Sequence, residues 1–229
     1  SAMIRLHITA EGHAEQAFVK NVLTPHLARY DVLVDARRVL TSKDNRAAKE
    51  YRGGLLSYQK AKKDIQNWLK EDKHAECRFS TMFDLYALPN DFPGYTQAKK
   101  QTDKYECIRI LEESMASDLA SRRFIPYIQL HEFEALILAD PQQLDWEYLE
   151  HDRPINNLIA MVVNQNPELI NDDPMTAPSK RILNEIPEYD KVTAGVAVAG
   201  KIGLQTLREK CRHFNEWLTT LEQLSNVSP

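Results

Sequence analysis

"RLHITAEGHAEQAF" (Arg5–Phe18) is the stretch on which the reading of the fold turns. With Ile4 before it, Leu6 and Ile8 complete a period-2 apolar alternation over Ile4–Thr9, the pattern of a strand. The alternation stops at Ala10-Glu11-Gly12, and a second acid, Glu15, follows four residues on, where helical spacing begins through Ala17, Phe18, Val22, Leu23 and Leu27. One acid at a helix N-terminus is ordinary dipole chemistry. Two acids beside the end of a strand are also half of a metal site.

Outward from this stretch the same grammar repeats. Val32–Val39 is β-branched and alternating, hence a second strand, and Lys60–Lys70 is helical with Ile65, Trp68 and Leu69 inward. Arg78–Phe83 is a short apolar strand running straight into Asp84, and "LPNDFPGY" (Leu88–Tyr95) is an irregular loop. Tyr105–Arg122 is an amphipathic helix, Phe124–Leu130 a strand, and Glu132–Leu138 opens another helix. Pro25 is expected to kink or split the first helix, Glu15–Tyr30. Strands separated by helices predict βαβ units: an α/β fold with a mainly parallel sheet flanked by helices. Beyond Asp140 the β signal fades and Leu158–Val163, Ser179–Ile186, Val192–Gln205 and Arg208–Leu224 read as helices. The expected organisation is an α/β core over residues 3–140, with a helical C-terminal portion, residues 141–229, packed on it.

Bulk composition narrows the class. A hydrophobic fraction of 43% and a charged fraction of 27% over 229 residues belong to an ordinary globular chain, neither disordered nor membrane-spanning. Ser1-Ala2 before Met3 reads as a tag remnant rather than a leader. Cys77, Cys107 and Cys211 are odd in number and widely spaced, which predicts reduced thiols and a cytoplasmic location. The net charge of −4 is unevenly laid out. Between Arg37 and Lys63 nine bases meet two acids; from Glu132 to Asp190 thirteen acids meet three bases. A basic tract can neutralise phosphates and clustered acids can hold divalent cations, although both are also found as plain solvated faces.

Ligands of an open parallel sheet bind outside the carboxyl ends of its strands. Three predicted strands end in acid: Thr9 leads to Glu11, Phe83 to Asp84, and Leu130 to Glu132 and Glu134. Packed together, such carboxylates repel and raise one another's pKa; a divalent cation resolves the conflict, and an oxygen-only donor set suits Mg²⁺ or Mn²⁺. The plain alternatives are that Glu15, Glu132 and Glu134 are helix N-terminal acids and that Asp84 caps its loop. His131 reads as a structural histidine, and His213 near Cys211 as too few groups for a metal site.

"AEGHAEQAF" and "TMFDLYALPNDFPG" look like the two acidic motifs of Toprim domains, in which a glutamate follows the first strand and an Asp-x-Asp pair a later one. More closely, "TMFDLYALPNDFPGY", "YIQLHEFEALILAD", "PSKRI" and "GKIGLQTLREKCRHFNEWL" together resemble the bacterial Toprim-like family called domain of unknown function 4276, over nearly the whole chain. The resemblance implies a metal-dependent, nucleic-acid-cleaving fold, often encoded beside an ATPase in phage-defence settings. It places Glu11 as the Toprim glutamate and Asp84 as the first aspartate. Glu15 matches the second acid of OLD-type nucleases. The position of the second aspartate is Tyr86, a poor Mg²⁺ ligand, so that Glu132 or Glu134 must supply what is missing.

The expected function is Mg²⁺- or Mn²⁺-dependent phosphodiester hydrolysis with Glu11, Glu15, Asp84, Glu132 and Glu134 as the ligand pool. Lys180 and Arg181 in "PSKR" and Lys201 in "AGKIGL" are the candidates for offsetting phosphorane charge. Arg46, Lys49 and Arg52, with Gly53-Gly54 as an anion nest, would track a nucleic-acid backbone, DNA favoured over RNA; Tyr51 and Tyr58 would stack on bases. The expected partners are nucleic acid and an ATPase, with a homodimer as an option and no membrane. Two rivals stand beside this: a degenerate Toprim module that binds nucleic acid or docks on an ATPase without cutting, and a phosphatase acting on a small substrate.

Overall fold

The computed structural model describes residues 3–40, 55–170 and 175–226. At its centre β1 (Ile4–Ala10) pairs in parallel with β2 (Val32–Arg38) on one side and β3 (Cys77–Asp84) on the other. β4 (Phe124–Ile125) pairs in parallel with β3, giving the order β2-β1-β3-β4, and β5 (Ile128–Gln129) pairs with the end of β3. The expected strand Phe124–Leu130 is thus two short ones. Pro126 between them has no N–H to give a ladder, and the break lets β5 meet Phe83 and Asp84.

Both faces of the sheet are covered, as a parallel sheet requires. Leu6 and Ile8 of β1 belong to one core, shared with α1 (His13–Phe18), α2 (Thr24–Leu27) and the C-terminal helices. Phe79 and Phe83 of β3 belong to the other, under α3 (Tyr58–Glu71), α4 (Tyr95–Ala98) and α5 (Lys104–Leu119). α3 starts where Ser57 caps the amide of Lys60, and α5 where Asp103 caps Tyr105 and Glu106.

The first helical run is split just ahead of Pro25. A π-helical turn, Val19–Leu23, joins α1 to α2 and widens the backbone just where the proline ring would crowd a carbonyl one turn earlier. After β5 come α6 (Glu134–Ile137), α7 (Asp152–Val162), α8 (Pro178–Glu185), a second π-helical turn at Lys191–Gly195, α9 (Val196–Lys210) and α10 (Arg212–Glu222). α9 is interrupted at Gly203, whose φ of 80° a glycine adopts freely.

The C-terminal helices share the core of the sheet. Phe214 meets Phe18 edge-on, Trp217 stacks on Tyr127 at 4.0 Å, and the Trp217 indole N–H donates to Ser80 Oγ at 3.0 Å. Cys77, Cys107 and Cys211 are buried, and none of them forms a disulfide among the described residues. No helix among the described residues is long and apolar enough to cross a membrane.

Candidate metal centre

Strand pairing builds the site. The parallel register sets Ala10 beside Met82, so Glu11, just past β1, comes beside Asp84, the last residue of β3. The Glu11 amide donates to the Met82 carbonyl at 3.0 Å, and the Glu11 carboxylate accepts from the Asp84 amide at 2.7 Å. Glu15 comes in from α1, almost wholly buried, against a Gly12 whose missing Cβ would stand 3.1 Å from its carboxylate. Glu134 enters from the first turn of α6, also buried.

Into this ring of acids points Lys191, from the π-helical turn before α9. Its Nζ lies 2.8 Å from Glu15 Oε1, 3.3 Å from Asp84 Oδ2 and 3.8 Å from Glu134 Oε2. One ammonium does not serve so many carboxylates. Asp84 Oδ1 and Glu134 Oε2 are buried with no hydrogen-bond partner, and such atoms bear the full cost of desolvation. Tyr189 reaches Glu134 Oε1 only at 3.4 Å.

Burial dominates the electrostatics. It pushes Glu11 up to about 8, with Glu15 adding repulsion, and Glu134 up to about 7 against the pull of Lys191. Asp84 is driven well above the carboxylate range by burial, which outweighs Lys191. Burial lowers the Lys191 ammonium, yet Asp84, Glu134 and Glu15 together hold its pKa well above the usual value. The cluster has the composition of a hard-cation site: its acids offer carboxylate oxygens, of which Asp84 Oδ1 and Glu134 Oε2 are buried without a hydrogen-bond partner. Its acids gather on Lys191, however, not on one another. Among the described residues the one set of three His, Cys, Asp or Glu side chains whose donor atoms all lie within 4.8 Å of each other is His7, Asp72 and Cys77, elsewhere on the sheet.

Of the expected ligands the structure brings together Glu11, Glu15, Asp84 and Glu134. Glu132 is buried nearby, but its Oε1 accepts from the Ser179 amide at 2.6 Å, tying it to the N-terminus of α8. Lys191, which is not among the expected charge-offsetting residues, is the cation that the structure sets among the acids. Lys180 follows Ser179 on α8, and the Lys201 ammonium rests over the Trp146 ring at 4.3 Å. Arg181 spends its guanidinium on the Thr176 carbonyl at 2.7 Å and Met161 Sδ at 3.0 Å. Tyr58 is no stacking platform: it is 1% exposed, packs on Phe92 and donates its hydroxyl to Asp118 at 2.7 Å. Arg46, Lys49, Tyr51, Arg52, Gly53 and Gly54 lie outside the described residues. Lys191 was missed because it stands over a hundred residues from Asp84; its one local signal is the cap, Asp190 accepting from the Thr193 amide at 2.7 Å.

The fold so built is a parallel α/β sheet with one acid just past its first strand and another at the end of its third, side by side. Residues 10–222 match the family described as "Domain of unknown function (DUF4276)", and the chain belongs to that family. Among solved structures it is similar to the C-terminal region of the Burkholderia pseudomallei OLD protein (16% identity, 95% of this chain and 98% of that one, TM-score 0.45). It is also similar to the C-terminal region of the Xanthomonas campestris pv. campestris OLD protein (15% identity, 95% of each chain, TM-score 0.41). No curated protein matches.

Proposed function

We propose that the protein hydrolyses nucleic-acid phosphodiesters with Mg²⁺ or Mn²⁺ held by Glu11, Glu15, Asp84 and Glu134. The observation that carries this is the buried acid cluster at the strand ends, with Asp84 Oδ1 and Glu134 Oε2 left without a hydrogen-bond partner. A bound divalent ion there would acidify a water and stabilise the departing oxygen. Lys191, a third exposed, is the residue placed to swing from the acids onto a phosphate oxygen. Nucleic acid is preferred over a small substrate because Leu40 and Leu55 line a small cavity together with Glu11. The chain between those two leucines carries Lys43, Arg46, Lys49 and Arg52. DNA as the substrate, an ATPase as the partner and a phage-defence setting belong to the same proposal and rest on the family resemblance.

A second reading has its own support. Tyr86 stands at the usual second aspartate and is 37% exposed, while Lys191 already gives the acids a counter-ion. A degenerate module, binding nucleic acid or an ATPase without cutting, would look this way. Calorimetry with Mn²⁺ and Mg²⁺ on the wild type and Asp84→Asn separates the two. The nuclease reading expects binding that Asp84→Asn abolishes, and DNA cleavage that disappears with it. No heat of binding at millimolar metal removes the self-sufficient nuclease and leaves the module.

A further inference from the structure

We propose a second metal site, unrelated to the acid cluster: His7, Asp72 and Cys77 bind one thiophilic divalent cation, Zn²⁺ foremost. His7 lies four residues before Glu11 in β1, about 13 Å upstream along the strand. The β1–β3 register sets Arg5 beside Cys77 and His7 beside Phe79, so Cys77 and His7 are diagonal neighbours on the face covered by α3. Asp72, the residue after α3, closes the set from above. All three donor atoms fall within 4.8 Å of one another. Tetrahedral zinc, with bonds of about 2.0–2.3 Å, wants donors spaced roughly 3.3–3.8 Å apart. The His7–Asp72 contact at 2.8 Å and the 4.8 Å limit bracket that range, so small rotations form the site.

The two oxygens of Asp72 are differently employed. Oδ1 accepts from the Arg5 guanidinium at 3.1 Å and the His74 amide at 3.3 Å, and Oδ2 faces His7 Nε2 at 2.8 Å. Arg5 and His74 therefore hold the carboxylate from behind, as partners of a ligand do, and leave the other oxygen for the cation. The Cys77 thiol also donates to Asp72. On binding, the metal takes the place of these two hydrogens. The thiol proton leaves to solvent and the Nε2 proton moves to Nδ1, so thiolate, carboxylate and neutral imidazole balance a divalent ion. His7 Nδ1 is buried without a hydrogen-bond partner already, so the tautomer change adds no new unpaired atom.

The donor set selects the metal. Thiolate and imidazole favour Zn²⁺ and Co²⁺ over Mg²⁺ and Mn²⁺, the opposite preference to the strand-end acids. Cys77 is fully buried and His7 is held between Trp68 at 4.6 Å and Phe79 at 5.0 Å, which fixes the ring and dries the site. Asp72, its side chain 14% exposed, is the side open to solvent and to a fourth ligand, water.

Co²⁺ titration of the full chain followed by absorption tests this. The wild type and Asp84→Asn are expected to show, at one equivalent, a thiolate-to-cobalt charge-transfer band with tetrahedral d–d bands that Zn²⁺ bleaches. Cys77→Ser, whose hydroxyl can still donate to Asp72, abolishes the charge-transfer band, whereas Cys107→Ser and Cys211→Ser keep it. Asp72→Asn weakens Co²⁺ binding by at least about tenfold, a readout that stands if Cys77→Ser does not fold. A wild type without the band at millimolar Co²⁺, or a band that survives Cys77→Ser, overturns the site and leaves a buried hydrogen-bond network.

Discussion

Glu168 and Asp84 are both buried carboxylates, 0% and 5% exposed, and burial raises the pKa of each. They differ in what meets their oxygens. Glu168 accepts from the His213 amide at 2.9 Å, the Phe214 amide at 3.1 Å and the Tyr105 hydroxyl at 3.1 Å. It thereby caps the start of α10 from a distant loop, and both of its oxygens are used. Asp84 has one long contact with Lys191 and an oxygen with nothing. An acid kept for structure has its acceptor oxygens filled, as in Glu168; Asp84 has an oxygen to spare, as the proposed cation site needs.

The two should therefore respond to mutation with opposite sign. Glu168→Ala strips two helix-terminal amides and a phenol of their acceptor, a loss of about 2–4 kcal/mol. Asp84→Asn relieves the crowding of buried carboxylates around one ammonium, so in EDTA the melting temperature is expected to hold or rise, while Mn²⁺-induced stabilisation disappears. Thermal denaturation of both variants with and without Mn²⁺ decides it. Equal destabilisation by the two would erase the distinction between them.

The pH dependence sharpens the same contrast. In the unfolded chain Glu11 and Glu134 ionise near 4.5, but folding raises them to about 8 and about 7. Between these limits the native state holds more protons than the unfolded state, so stability falls as pH rises. Their contribution is whole below about 4.5 and lost by about 8. Metal-free protein should lose about 1–3 kcal/mol, several degrees in Tm, across that window. Mn²⁺ should restore the loss with release of protons. Glu134→Gln should flatten the slope; an unchanged slope would place the titrating groups elsewhere.

Much of this was legible in the chain. Alternation at Ile4–Thr9 and the short apolar run Arg78–Phe83 gave the strands, their separation by helices gave a parallel sheet, and acids at the strand ends gave Glu11 and Asp84, because these are local signals. Glu15 followed from its place four residues after Glu11 and Glu134 from the third acid-bearing strand end. Lys191 did not, since nothing local reveals which of many lysines the tertiary fold turns inward. Tyr58 misled because an aromatic amid bases reads as a stacking surface, while its place on the inner face of α3 buries it. His7, Asp72 and Cys77 were invisible for a similar reason: His7 stands 65 or more residues from the other two and becomes their neighbour only through the β1–β3 register.

Gly195 probes how firmly the acid cluster is positioned. A Cβ there would stand 2.4 Å from the Tyr189 hydroxyl, the group that reaches Glu134. Gly195→Ala must push Tyr189 aside, at about 1–2 kcal/mol of overpacking strain. The expected accompaniment is weaker Mn²⁺ binding, as Glu134 loses its neighbour. Calorimetry showing wild-type affinity despite the lowered Tm would mean that Tyr189 supports the fold and not the ligand.

The smallest effect is expected at Lys201, and its smallness is informative. Sequence spacing nominates Lys201 as the charge-offsetting lysine, at a helix start in "AGKIGL". The folded chain instead lays it over Trp146, which is 64% exposed. An exposed cation–π contact of this kind is worth about 0.5–1 kcal/mol. Lys201→Ala should therefore shift Tm by a degree or two and leave Mn²⁺ affinity and its pH dependence unchanged, because its charge does not face the carboxylates. Lys191→Met, by contrast, removes the one ammonium among Glu15, Asp84 and Glu134, and should steepen the fall of metal-free stability above neutral pH. If the two variants behaved alike, the counter-charge would be diffuse. If Lys201→Ala alone altered metal binding, the assignment of Lys191 would be wrong.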